Sequence, residues 1–134
     1  MGGQGDPLHF AAANGYPPGA YRAFLEPFAE NHEVVASLHR PLWETPPELE
    51  SFRSWDVFGE DICQLVSALP HPVVSVGHSM GTAAILMAAI QRPELFKSLV
   101  LIEPVLVPRR FLVGLSFFRR FRPEVIPLVK RTLS

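Results

Sequence analysis

Cysteine is almost missing from this chain: Cys63 is the only one. A single thiol excludes an internal disulfide and any multi-cysteine zinc site, and it fits a reducing compartment. No run of about 18 apolar residues is present. The nearest candidate, 98–118, is broken by Glu103, Pro104, Pro108, Arg109 and Arg110. The N-terminus has neither a basic n-region nor a long apolar h-region, so no signal peptide is expected and the expected location is the cytoplasm. Charge is sparse, 19% of residues, and nearly balanced at a formal net of −1. With 48% hydrophobic residues, this composition suits neither a disordered chain nor a nucleic-acid binder. No G-x-G-x-x-G or G-x-x-x-x-G-K-[ST] run follows an expected strand, which disfavours a doubly wound nucleotide binder. No metal-ligand constellation or cofactor motif is visible, so neither a metal nor a cofactor is expected.

What is present is one domain's length, 134 residues, with 14 prolines that punctuate loops. The charge is unevenly placed. Residues 1–108 hold five Lys/Arg against twelve Asp/Glu, a net of −7, whereas 109–134 hold seven against one, a net of +6. The compositional break near 108 is the best internal boundary.

Leu8–Ala13 reads as a short buried strand, followed by the turn signal Asn14-Gly15 and the tight connection Tyr16-Pro17-Pro18-Gly19. Tyr21–Glu30 has Tyr21, Phe24, Leu25 and Phe28 at helical spacing, with Pro27 set to kink it or start a second short helix. Glu33–Leu38 is the next strand. Arg40 and Trp43 leave its C-terminal end, either to shape a ligand crevice or simply to pack the loop. Ser54 is a plausible N-cap for a helix with an apolar stripe of Trp55, Phe58, Ile62, Leu65, Val66 and Leu69, and Cys63 beside that stripe reads as a core thiol. After Pro70-His71-Pro72 comes the stretch that organises the chain. Val73-Val74-Ser75-Val76 stops at Gly77, Ser79 follows, then Gly81 and an unbroken small-and-apolar run to Ile90. This is a strand turning sharply into a helix with Ser79 at the apex. Side chains at 77 and 81 would obstruct the turn, and the helix N-terminus below the serine favours a developing oxyanion. Arg92-Pro93 stops the helix, and Leu95–Ile102 reads as an apolar strand buried on both faces of a parallel sheet. The expected order, β-α-β-α-β-α-β, implies an α/β fold of about four parallel strands joined by right-handed crossovers.

Gly77-His78-Ser79-Met80-Gly81 after a valine-rich strand resembles the nucleophile elbow of the α/β-hydrolase superfamily. Leu8–Pro17 resembles the strand and oxyanion turn that precede the elbow there, and Ser98–Pro104 the strand that follows it. The motif-level resemblance covers about 8–107. It implies that 1–107 is the N-terminal part of a hydrolase core with the elbow strand central, beside the Leu8–Ala13 strand. The basic segment 108–134 would be a cap- or lid-like helical piece, with Phe111, Leu112, Leu115, Phe118 and Phe121 near helical spacing among arginines. A lid, or a helix packing on a missing remainder, is favoured over membrane-surface contact by 109–131.

The resemblance also implies roles. Ser79 is the nucleophile, the amides of Tyr16 and Met80 are the oxyanion donors, and Asn14, Gly15 and His78 shape the pocket. Glu103, at the end of the strand after the elbow, is the candidate acid. A serine here, not an aspartate, disfavours the dehalogenase and epoxide-hydrolase variants of the family. The expected substrate is a small carboxylic ester or related acyl compound. The family order is Ser, then acid, then His. None of His9, His32, His39, His71 and His78 follows Ser79, so the general base is missing from this chain. The expectation is a truncated α/β-hydrolase, prone to self-association through an exposed sheet edge. The alternative is a non-catalytic α/β module that acts by binding or is inactive.

Overall fold

The computed structural model describes residues 2–48, 54–70 and 72–105. His71 and the whole expected lid segment 108–134, with its phenylalanines and arginines, lie outside the described residues.

The apolar runs become four strands: β1 (Asp6–Ala11), β2 (His32–Ser37), β3 (Val73–His78) and β4 (Phe96–Ile102). They form one parallel sheet in the order β2-β1-β3-β4. Strand β3 is therefore internal, beside β1, as the family resemblance implies. Each parallel pair needs a crossover. The last two are α2 (Asp56–Ser67) and α3 (Met80–Gln91).

The first crossover takes the second of the two courses expected at Pro27, a new short helix instead of a kink. Only Arg22–Leu25, α1, is α-helical, between 3₁₀ turns at Pro18–Tyr21 and Glu26–Glu30. The cause is proline at both ends: Pro18 opens the first 3₁₀ turn, and Pro27 has no N–H to continue the α-helical ladder. The N-cap of α2 is Trp55 and not the expected Ser54, which lies one residue before that cap and accepts the Asp56 amide through its hydroxyl at 3.1 Å.

The sheet buries a core on each face. On one side α2 and α3 pack Phe58, Ile62, Val66, Ala84, Ile85 and Ala88 against Ala11 and Val73. On the other, the Pro18–Glu30 segment covers Leu8, Phe10, Val34 and Val76. Alanines at 84 and 88 let α3 approach both the sheet and α2. Its burial on several sides is as expected, and only its C-terminal end opens out, with Ile90 81% exposed. The other correction concerns β4. Expected to be buried on both faces, it has Ser98, Val100 and Leu101 exposed. An apolar run reports the chemistry of a strand and not its place. Among the described residues β4 is the outermost strand beside β3, and it meets the core under the Pro18–Glu30 segment through Ile102.

The loop after β2 is held by its own side chains. Arg40 makes a two-pronged bond to Asp61 on α2, Nε and Nη2 each 2.7 Å from a carboxylate oxygen. Its guanidinium lies 5.5 Å from the centre of the Trp43 ring, and the Trp43 indole donates to the Leu38 carbonyl at 2.8 Å. Cys63 is buried, its thiol 3.5 Å from the Ala88 carbonyl, and burial pushes its pKa up. It is a core thiol, as expected.

Candidate active site

Ser79 stands between the last residue of β3 and the first of α3, half-buried, with φ 52° and ψ −115°. A non-glycine residue with this backbone is strained by about 1–3 kcal/mol and persists only where its surroundings fix it. Here the surroundings are explicit. The Ser79 amide donates to the Ile102 carbonyl at 3.0 Å, which ties the bend to the end of β4. Its carbonyl accepts both the Thr82 amide at 3.0 Å and the Thr82 hydroxyl at 2.5 Å, which starts α3. The flanking glycines are required by space. A Cβ on Gly81 would lie 2.1 Å from the Ala11 carbonyl oxygen, and one on Gly77 2.8 Å from the Thr82 backbone. As the first residue of α3, Met80 has an amide with no intrahelical acceptor, and it sits at the positive end of the helix.

The turn after β1 lies beside this bend, because β1 and β3 are paired up to Ala11 and Gly77. Asn14 and Gly15 are exposed, and Gly15 takes φ 74°. The Tyr16 amide closes the turn onto the Ala13 carbonyl at 3.2 Å, so in this state the expected oxyanion donor is held by its own turn.

Of the four described histidines, His32 at the start of β2 has Nδ1 3.2 Å from the Asp6 carbonyl, two are buried, and one borders the bend. His9 and His39 are buried in the core beneath the site. His9 Nδ1 pairs with the Ser75 hydroxyl at 2.6 Å, and its Nε2 has no partner among the described residues. Burial, and secondarily the nearby His39, holds the His9 pKa down at about 3. His39 Nε2 donates to the Ala12 carbonyl at 2.9 Å; burial lowers its pKa, and that hydrogen bond opposes the shift. His78 is partly exposed. Its Nδ1 is 2.7 Å from the Tyr21 hydroxyl, which also accepts the Ala13 amide at 3.1 Å. Its Nε2 is 3.5 Å from a carboxylate oxygen of Glu103. Glu103 itself is exposed and has φ 47°. The structure thus gathers His78, Glu103 and the β1 turn around Ser79 and sends His9 and His39 into the core.

Tyr21 is the participant that sequence reasoning missed: its spacing marked it as a helix-face aromatic, and it is also a polar link. The only signal was the hydroxyl itself, where phenylalanine would fill the same space. An apolar hollow of about 250 Å³ opens beside this link, lined by Phe10, Tyr21, Phe24, His78 and Ile102.

The sequence profile of the Alpha/beta hydrolase family matches residues 8–134. This chain belongs to that family. The match continues through the basic C-terminal segment, where motif-level resemblance is no longer informative. Among solved structures, this family member superimposes on the thioesterase domain from the curacin biosynthetic pathway with a TM-score of 0.73 at 24% identity, covering 87% of this chain and 45% of that one. It also superimposes on Bacillus megaterium epoxide hydrolase with a TM-score of 0.68 at 27% identity, covering 77% and 37%. A 57-residue stretch is 42% identical to the peroxisomal membrane protein LPX1 of Saccharomyces cerevisiae, covering 41% of this chain and 15% of that protein. The chain therefore spans less than half the length of each of these three. Among the described residues no helix is long and apolar enough to cross a membrane.

Proposed function

We propose that this α/β-hydrolase chain carries the nucleophilic half of a serine hydrolase acting on a carboxylic ester or a related acyl compound. The observation that carries the reading is the backbone of Ser79: positive φ, half-exposed, at the junction of a parallel strand and the helix that follows. A fold gains nothing from such strain in stability, whereas a nucleophile lifted off the sheet gains access to a carbonyl. In this reading the Ser79 hydroxyl attacks the acyl carbon, and the Met80 amide takes the developing oxyanion. The Tyr16 amide joins it: its 3.2 Å bond inside the turn is long, and a charged oxygen competes well for such a donor.

The proton acceptor comes from outside these residues. His9 and His39 are sealed in the core, and the His78 ring is engaged by Tyr21 and faces Glu103. Glu103, the expected acid, stands beside His78, and its part in the reaction is proposed only as a carboxylate at the rim. The thioesterase neighbour, whose name denotes acyl-transfer chemistry, supports the substrate class. A serine in place of a carboxylate at position 79 separates this chain from epoxide opening. The single buried thiol suits a reducing compartment such as the cytoplasm.

The engaged Tyr16 amide and, among the described residues, the engagement of His78 by Tyr21 with His9 and His39 buried favour a second reading, a binding module that has kept the fold without turnover. A fluorophosphonate probe separates the two. Labelling of Ser79 that disappears in Ser79→Ala supports the hydrolase reading. A folded sample that takes no label supports the second.

A further inference from the structure

We propose that Tyr21 is a positioning residue that joins the β1 turn to the nucleophile bend through His78 and, in doing so, fixes the tautomer of that histidine. The proposal builds on the reading of Ser79 as a nucleophile, and its central contact stands on geometry alone. The Ala13 amide donates to the Tyr21 oxygen at 3.1 Å. That leaves the phenol one O–H to give, and His78 Nδ1 lies 2.7 Å away, a short distance that suits O–H···N donation. Nδ1 then acts as the acceptor, so the neutral ring carries its proton on Nε2. The opposite edge of the ring agrees with this. Nε2 faces the Glu103 carboxylate at 3.5 Å, an arrangement that favours an N–H there over a bare lone pair. The other tautomer would strand the Tyr21 proton and turn a lone pair toward a negative charge.

The ring packing holds the link in place. Tyr21 lies with its ring centre 4.7 Å from Phe10 and meets His78 edge-on at 5.7 Å. One phenol therefore holds both sides of the site. Through Ala13 it holds the turn that presents the Tyr16 amide. Through His78 it holds the residue that precedes Ser79, two before the Met80 amide. The spacing of the two proposed oxyanion donors thus depends on a phenol that bonds Ala13 and His78 and not Ser79.

The test uses the full chain and Tyr21→Phe, which keeps the ring and its aromatic contacts and removes only the hydroxyl. Two-bond ¹H–¹⁵N spectra of ¹⁵N-histidine protein, with His78 assigned from the signal lost in His78→Asn, are expected to show the Nε2–H tautomer. In Tyr21→Phe that tautomer bias is expected to be lost. In parallel, the rate of fluorophosphonate labelling at Ser79 should fall about tenfold in Tyr21→Phe. His78→Asn serves only the spectral assignment, because His78 itself lines the hollow beside the bend. An Nδ1–H tautomer in the unsubstituted protein overturns the proposal, as does an unchanged tautomer in Tyr21→Phe. Equal labelling rates for Tyr21→Phe and the parent overturn the positioning role. If the parent takes no label, the nucleophile reading fails by itself, and the tautomer comparison still decides for or against the link.

Discussion

Gly81 presses against Ala11 so closely that a methyl group on its Cα would lie 2.1 Å from the Ala11 carbonyl oxygen. That contact holds α3 against the end of β1 and sets the height of Ser79 above the sheet. At Gly77 the added atom would meet the Thr82 backbone at 2.8 Å, and at Gly15, where φ is 74°, it would meet nothing within 4 Å. A graded series follows. Gly15→Ala should lose about 1 kcal/mol, from backbone strain alone. Gly77→Ala should lose about 1–3 kcal/mol through a forced shift of rigid backbone. Gly81→Ala should lose more than either, to the point of preventing folding. Urea unfolding of the three variants gives the ranking, and an equal loss at 81 and 15 would contradict the packing described.

Strain at Ser79 should be recoverable. With φ 52° and ψ −115°, the residue costs about 1–3 kcal/mol that glycine would not incur. Glycine itself gives back up to about 1 kcal/mol through the entropy of the unfolded chain. Ser79→Gly is therefore expected to be more stable than the parent by about 1 kcal/mol while losing the proposed nucleophile, and Ser79→Ala to be near neutral. Thermal or urea unfolding checks the difference between the two variants.

His9 should make the protein acid-sensitive. Its pKa is about 3 in the fold against about 6.5 in an unfolded chain. Above pH 6.5 both states are neutral there and His9 contributes nothing. Below it the unfolded chain takes a proton that the folded chain refuses, so stability falls by about 1.4 kcal/mol per pH unit until pH 3. His39, also held low by burial, acts in the same direction. A double variant, His9→Leu with Ser75→Ala, removes the pair without leaving the serine unpartnered. Its stability should decline less steeply than the parent's between pH 6.5 and 4 in denaturant titrations run across that range.

The Arg40–Asp61 fork ties the loop after β2 to α2, with both side chains partly exposed. Water and salt weaken such a pair, so Arg40→Lys is expected to cost only about 0.5–1 kcal/mol, chiefly by losing the two-pronged geometry. The difference should shrink as salt is raised toward 1 M. A salt-independent loss would point instead to the contact between Arg40 and Trp43.

The bend at Ser79 was legible because everything that forms it is local. A β-branched run, two glycines and an alanine-rich run occupy consecutive positions, and each has one conformation it suits best. The strand order was legible only through family resemblance, and the fate of β4 was not legible at all. Its apolar run is the same whether it lies inside a sheet or at its margin, and Val100 at 46% exposure records the second case. Contacts between distant positions escaped in the same way. His9 and Ser75 are 66 positions apart, and each alone reads as a polar residue in an otherwise apolar strand. The link from Tyr21 to His78 depends on how a proline-broken segment folds back over the sheet, which residue spacing does not encode.

The two margins of the sheet are unequal. Gly2 pairs with Val34 on the outer side of β2, the amide-to-carbonyl distances being 3.3 and 2.9 Å, whereas β4 has no such neighbour among the described residues. Polypeptide that enlarged this layer would meet less obstruction alongside β4. Growth in that direction is lateral, so it could carry new side chains up to the serine's side of the crest without reshaping the ground on which the serine stands.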